Sequence, residues 1–208
     1  MAYALLAAYA VAPQFFDGRD RDGDGVAEER EVWFDGKTLT GCANDLHGPY
    51  LGPDGWIYWC KGGFAEQSYL RPDGRLWKSR AAHIFRTPPD RLQSWFGIGV
   101  TPASAAQVPN RYVEPVLTGG MDNPVDVAFL PNGERFLTTT FLTHPQAGLR
   151  DGLLHAVYGG VYGKEHDPIY AHPWTAPTPM PVLVHMGAAA SCGLTCYESG
   201  VFGADYRG

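Results

Sequence analysis

Three stretches of the chain repeat one pattern of apolar and polar positions: "LGPDGWIYW" (51–59), "LRPDGRLW" (70–77) and "FLPNGERFLTTTF" (129–141). Each is apolar, then Pro-Asp-Gly or Pro-Asn-Gly, then a short apolar-rich run. Proline presets φ at the first corner of a turn and glycine takes the positive φ that follows, so each phrase predicts a β-hairpin. "VAPQFF" (11–16) reads as a strand and its exit, and "NPVDVAF" (123–129) as chain turning from a loop into a strand. No helical period persists over about twelve residues. Stretches rich in Pro, Ala and Thr at 101–111 and 171–181 read as long connections. The expectation is all-β: blades of a propeller or layers of a sandwich. Blades take about 40–50 residues, so the chain holds about four, fewer if its loops are long.

Composition supports that class. Twenty-six glycines and seventeen prolines in 208 residues punctuate strands and turns rather than helices. Aromatics at 13% and charged residues at 18% fit a folded, well-buried chain. A formal charge of −6 offers no footprint for phosphate backbones, so no nucleic-acid partner is expected. No apolar run approaches the ~20 residues that span a bilayer as a helix. The opening "MAYALLAAYAVA" ends in Ala10-Val11-Ala12, which imitates a signal-peptidase site. No Lys or Arg precedes the apolar run, which favours the strand reading over a signal peptide. Cys42, Cys60, Cys192 and Cys196 fit no zinc or haem spacing. Cys42 and Cys60 bracket the first hairpin, as a disulfide or as two buried thiols.

"DRDGDGVAEERE" (20–31) matches the calcium-loop pattern D-x-[DN]-x-[DN]-G-x5-E at every fixed position. Asp20, Asp22 and Asp24 supply oxygens on alternate residues, and Gly25 allows the sharp turn. Val26 offers its carbonyl, Glu28 a direct or water-bridged contact, and Glu31 a bidentate carboxylate. The flanks break at glycine, which predicts a calcium loop without paired helices, inserted into a β fold. The alternative is an acidic, solvated turn.

"NDLHGPYLGPDG" (44–55) places Asn44, Asp45 and His47 just before a strand expected to start at Tyr50. An imidazole can take a hydroxyl proton near neutral pH, and Asp45 or Asn44 could fix its tautomer. The alternative is a histidine that only caps the turn. "GGMDNPVDVAF" (119–129) places Asp122, Asn123 and Asp126 near another strand entrance, where they could hold a polyol or a cation or form Asx turns. "RDGLLHAVYGGVYGKEHD" (150–167) lacks the phosphate-loop pattern, and Lys164 at its end is a further candidate ligand contact.

Together, "NDLHGPYLGPDGWIYWCKGGF", "AAHIFR", "GGMDNPVDVAF", "RDGLLHAVYGGVYGK" and "GLTCYESGVFGADYRG" resemble a family of membrane-bound dehydrogenase β-propellers found mostly in planctomycetes. The resemblance runs from about residue 11 to the end. It implies that residues 1–208 are an incomplete propeller domain, a fragment of a six-bladed ring carrying the calcium loop at 20–31. These propellers are distantly similar to soluble quinoprotein glucose and sorbosone dehydrogenases, in which a histidine before a "G-P-D-G" strand removes a sugar hydroxyl proton. His47 falls on that position. Leu46 stands where those relatives have Asp, and Asp122 where they have Arg. The resemblance implies an extracytoplasmic, periplasmic sugar or alcohol dehydrogenase with pyrroloquinoline quinone and Ca2+, passing electrons to a cytochrome c domain. His47 and Asp45 would be catalytic, and Asn44, Asp122, Asn123 and Lys164 would contact substrate or cofactor. The second reading is a non-catalytic carbohydrate- or protein-binding propeller with structural calcium.

Overall fold

The computed structural model describes residues 14–36, 46–70, 73, 75–88, 113–141, 148–163 and 178–207. Among them are twelve strands, no α-helix, and a single 3-10 turn at Ala204–Tyr206. The all-β expectation therefore holds. The connections at 101–111 and 171–177, and residues 1–13 with the signal-peptide alternative, lie outside the described residues.

All three Pro-[Asp/Asn]-Gly phrases are hairpin turns. The first joins β3 (Leu46–Leu51) to β4 (Ile57–Lys61), the second β5 (Gln67–Leu70) to β6 (Leu76–Ser79), and the third β8 (Glu114–Phe129) to β9 (Arg135–Phe141). In each, the Asp or Asn side chain accepts the N–H two residues on: Asp54 from Trp56 (3.1 Å), Asp73 from Arg75 (3.0 Å), Asn132 from Glu134 (3.1 Å). That bond is why these turns carry Asp or Asn.

One sheet of eight strands dominates, in the order β12-β10-β9-β8-β7-β4-β3, and it curls. Its remaining members are β7 (Ala82–Thr87), β10 (Asp151–His155), β12 (Val184–Gly187), and β11 (Gly160–Gly163), which lies parallel to β8. β8 is sixteen residues long and serves twice. Its first half, Glu114–Gly119, pairs with β7, and its second, Met121–Phe129, pairs with β9. Two successive four-stranded meanders, β3-β4-β7-β8 and β8-β9-β10-β12, are thus fused through one strand. At Gly119 a Cβ would stand 2.9 Å from the Tyr162 carbonyl, so only glycine lets β11 close against the junction.

This corrects the expectation that the chain turns from a loop into a strand at residue 123. Asp122, Asn123 and Asp126 lie inside β8, where the register slips between Met121 and Asn123 and between Val125 and Val127. Bulges absorb the extra residues and keep the strand continuous through a polar segment that reads as a turn. Asp126 sits at φ 52, in the left-handed region that aspartate tolerates better than most residues.

Alternation along β4 builds the core on both faces. Tyr58 and Cys60 face Ile84, Leu117, Met121, Leu137 and Leu154. Ile57 and Trp59 face Tyr69, Phe85 and a separate hairpin, β1 (Gln14–Arg19) with β2 (Glu29–Asp35), which contributes Phe15 and Phe34. Phe34 meets Trp59 edge-on with ring centroids 4.9 Å apart. Each fully buried aromatic of this kind contributes about 1.5–3 kcal/mol. Cys60 is a free, buried thiol, and Cys192 and Cys196 are free as well. Cys42 lies outside the described residues.

The same strand buries a charge carrier. Lys61 is fully excluded from water, and its Nζ donates to the Ala65 carbonyl at 2.9 Å. Burial pushes its amine down from 10.5 to about 7. Between those values the unfolded chain holds a proton that the folded one lacks, so this group makes stability rise with pH from about 7 to 10.5. Below that window both states are charged and the penalty is full. Burial pushes the neighbouring Cys60 thiol up, which acts in the opposite sense above the ordinary thiol range. Comparison of wild type with Lys61→Met isolates the lysine. Urea unfolding should show Lys61→Met gaining most over wild type below about pH 7, with the gain shrinking steadily toward pH 10. Parallel stability curves would show that the amine is not penalised.

Candidate functional site

β3 and the second half of β8 bring together side chains far apart in sequence. His47 lies within β3, opposite Cys60 of β4, so the strand begins at Leu46 rather than at Tyr50. A register shift at Gly48-Pro49, whose peptide bond is cis, separates His47 from Tyr50. Gly48 has φ 117, and a Cβ there would lie 3.2 Å from the Tyr58 carbonyl, so the kink requires glycine.

The part-buried His47 places Nε2 at 3.2 Å from Oδ1 of Asn123, across 76 residues of sequence. A carboxamide oxygen only accepts, so in this pairing Nε2 carries a proton. Three residues further along β3, Tyr50 donates its hydroxyl to Asp126 Oδ1 at 2.6 Å. Burial and that hydrogen bond push the phenol well above its ordinary value, so it remains a donor. The other Asp126 oxygen accepts the Gly193 N–H at 2.5 Å. Asp126 therefore ties the His47 strand to the chain beyond β12. Sequence reading named Asp126 but gave Tyr50 no role, and no local pattern signals a bond across 76 residues. Asn44, Asp45 and Lys164 lie outside the described residues, and Asp122 is placed only as a backbone position in β8.

A second polar group forms the tip of the β1-β2 hairpin. Strands rather than helices flank the loop, as its glycine-broken flanks imply. Asp20 accepts from Gly23 (2.6 Å) with one oxygen and from Gly25 (2.9 Å) with the other. Asp22 accepts from Asp24 N–H (3.2 Å), Asp24 from Val26 N–H (2.7 Å), and Glu28 from Arg21 N–H (2.8 Å). Gly23 and Gly25, at φ 81 and 90, let the chain wind around its own carboxylates. Asp20, Asp22, Asp24 and Glu28 each offer an oxygen, all within 4.8 Å of one another. Calcium binds oxygens at about 2.3–2.6 Å, so opposite ligands stand about 5 Å apart, and the cluster has the right span. The donors are all hard oxygens. Arg21 pairs with Glu29 at the margin of the loop. Val26 is exposed, and Glu31 lies in β2 with its backbone opposite Asp17.

A family model described as "Domain of unknown function (DUF7133)" matches residues 5–95. That span includes the acidic loop and His47 and ends before Asn123. No curated protein and no solved structure matches the chain.

An ion held by this loop would order backbone amides that now bond only to side chains. Adding Ca2+ to chelated protein should slow amide exchange across residues 20–28 at least tenfold, and Asp24→Ala should remove the response. Exchange indifferent to Ca2+ would leave an acidic turn.

Proposed function

We propose that the chain is part of a calcium-braced β-propeller whose inner strands carry a proton-abstraction site for the hydroxyl of a sugar or alcohol. The observation that carries this reading is the His47–Asn123 pair, which joins the leading strands of two consecutive four-stranded meanders. In a propeller those are the strands that line the central channel. The family resemblance supports the same architecture, a site outside the cytoplasm, and a cytochrome c domain as partner.

Asn123 holds Nε2–H, so the ring is fixed in the tautomer that leaves Nδ1 free to accept a proton. A substrate hydroxyl placed against Nδ1 gives up its proton there, and the imidazolium then releases it to solvent. Asn123 thus takes over the orienting role expected of Asp45 or Asn44, with Asp45 a second candidate from the same strand approach. Pyrroloquinoline quinone, when bound, supplies the acceptor for the hydride. The imidazole and carboxamide fit hydroxyl binding and proton removal. Asn44, Asp122 and Lys164 are the residues assigned to hold the quinone or substrate, and calcium is assigned to Asp20, Asp22, Asp24, Val26, Glu28 and Glu31.

A second reading has one observation behind it. The partner of His47 is a neutral carboxamide, which stabilises an imidazolium less than a carboxylate does. An imidazole and carboxamide are equally suited to binding glycan hydroxyls without chemistry.

The purified protein, supplied with pyrroloquinoline quinone and Ca2+, should reduce an artificial electron acceptor with some members of a sugar panel. His47→Gln should lower that rate by roughly 10²–10⁴ with little change in sugar affinity. Nitrogen-15 spectra should show His47 in the Nε2–H form, and Asn123→Leu should release it to a mixture of tautomers. Sugar binding without turnover or quinone binding would decide for the binding module.

A further inference from the structure

Asp151 opens β10 with a carboxylate that is almost wholly out of water, 2% exposed. Its Oδ2 accepts the Ala190 N–H at 2.6 Å. Its Oδ1 is buried with no hydrogen-bond partner, and no ion pair to Asp151 is formed among the described residues. An unsatisfied buried polar atom costs about 1–3 kcal/mol, and an unpaired buried carboxylate costs more. Something must compensate that oxygen.

The register shows what shares its face. Thr140 of β9 stands directly opposite Asp151, and Asn123 of β8 stands opposite Thr140. Side chains directly across neighbouring strands project to the same side, so a carboxylate, a hydroxyl and a carboxamide form one row. On the other flank Gly187 of β12 lies opposite Asp151. From there the chain returns across the sheet, bonding Asp151 through Ala190 and Asp126 of β8 through Gly193. Three residues of extended chain reach about 10 Å, which equals two strand spacings, so residues 190–193 cross over β9 from β10 to β8. They form a strap over the row.

We propose that Asp151 anchors a site for a hard cation of the calcium class beneath the strap of residues 187–193, separate from the acidic loop. A single water molecule would bond Oδ1 alone, whereas a cation would bond Oδ1 together with the other oxygens of the row. The carboxylate, hydroxyl and carboxamide of the row carry hard oxygens and no thiolate, which suits calcium-class ions rather than zinc or copper. Backbone carbonyls of the strap would complete the shell of oxygens around the ion. Binding there would also steady Asn123, and with it the ring of His47, but the proposal stands whatever reaction that histidine performs.

The test uses Asp24→Ala protein, in which the acidic loop is disabled. Chelated protein is titrated with Ca2+ while amide exchange is followed by mass spectrometry over residues 187–193. Ca2+ should slow exchange there at least tenfold. Adding Asp151→Asn should abolish the response, and adding Thr140→Val, which keeps the carboxylate, should weaken the Ca2+ dependence several-fold. If the Asp151→Asn variant does not fold, the Thr140→Val titration decides alone. Strap exchange unchanged up to millimolar Ca2+ in folded Asp24→Ala protein, or a Ca2+ response identical with and without these substitutions, would overturn the site.

Discussion

Backbone pairing along β8 is the constraint on which the arrangement rests. One strand completes the first meander with its N-terminal half and begins the second with its C-terminal half. Every residue between Met121 and Val127 is therefore under two demands: to continue a ladder and to turn the sheet. The two bulges are the physical answer, because each adds local twist without surrendering the neighbouring hydrogen bonds. Those bulges also decide where Asn123 and Asp126 lie, and hence which side chains meet His47 and Tyr50.

Packing follows from the same continuity. Because β4 is covered on both faces, its residues alternate between two apolar clusters, and the β1-β2 hairpin attaches through aromatic rings rather than through shared backbone. The acidic loop thus stands at the end of an arm whose base is held by Phe15 and Phe34 against Trp59 and Phe85. Lys61 lies at the end of β4, where the strand leaves this cluster.

Local chemistry was legible in the sequence; long-range pairing was not. The three hairpin turns and the winding of the acidic loop depend on residues within a few positions of each other, and proline, glycine and aspartate announce them. "GGMDNP" misled because glycine, aspartate, asparagine and proline are turn residues by local preference, while here pairing with β9 through a bulged register overrides that preference. The same limit hid Asp151: nothing near "RDGLL" says that its carboxylate will be covered by residues some forty positions later. Lys61 likewise reads as an ordinary strand-ending lysine until the fold closes over it. His47 stood out as a candidate base, but its bonded partner and therefore its tautomer belong to tertiary structure.

The strap carries one more consequence, for how this region tolerates change over evolutionary time. Asp126 and Asp151 grip it by main-chain N–H groups, which every amino acid except proline possesses. Ser191 and Cys192 are therefore free to drift without loosening the crossing. Gly193, at φ 73, is not, and Ala190, at φ 49, would be better served by glycine or asparagine. The two aspartates that hold the strap are correspondingly the expensive positions, since losing either carboxylate releases a segment whose own side chains do little to keep it in place.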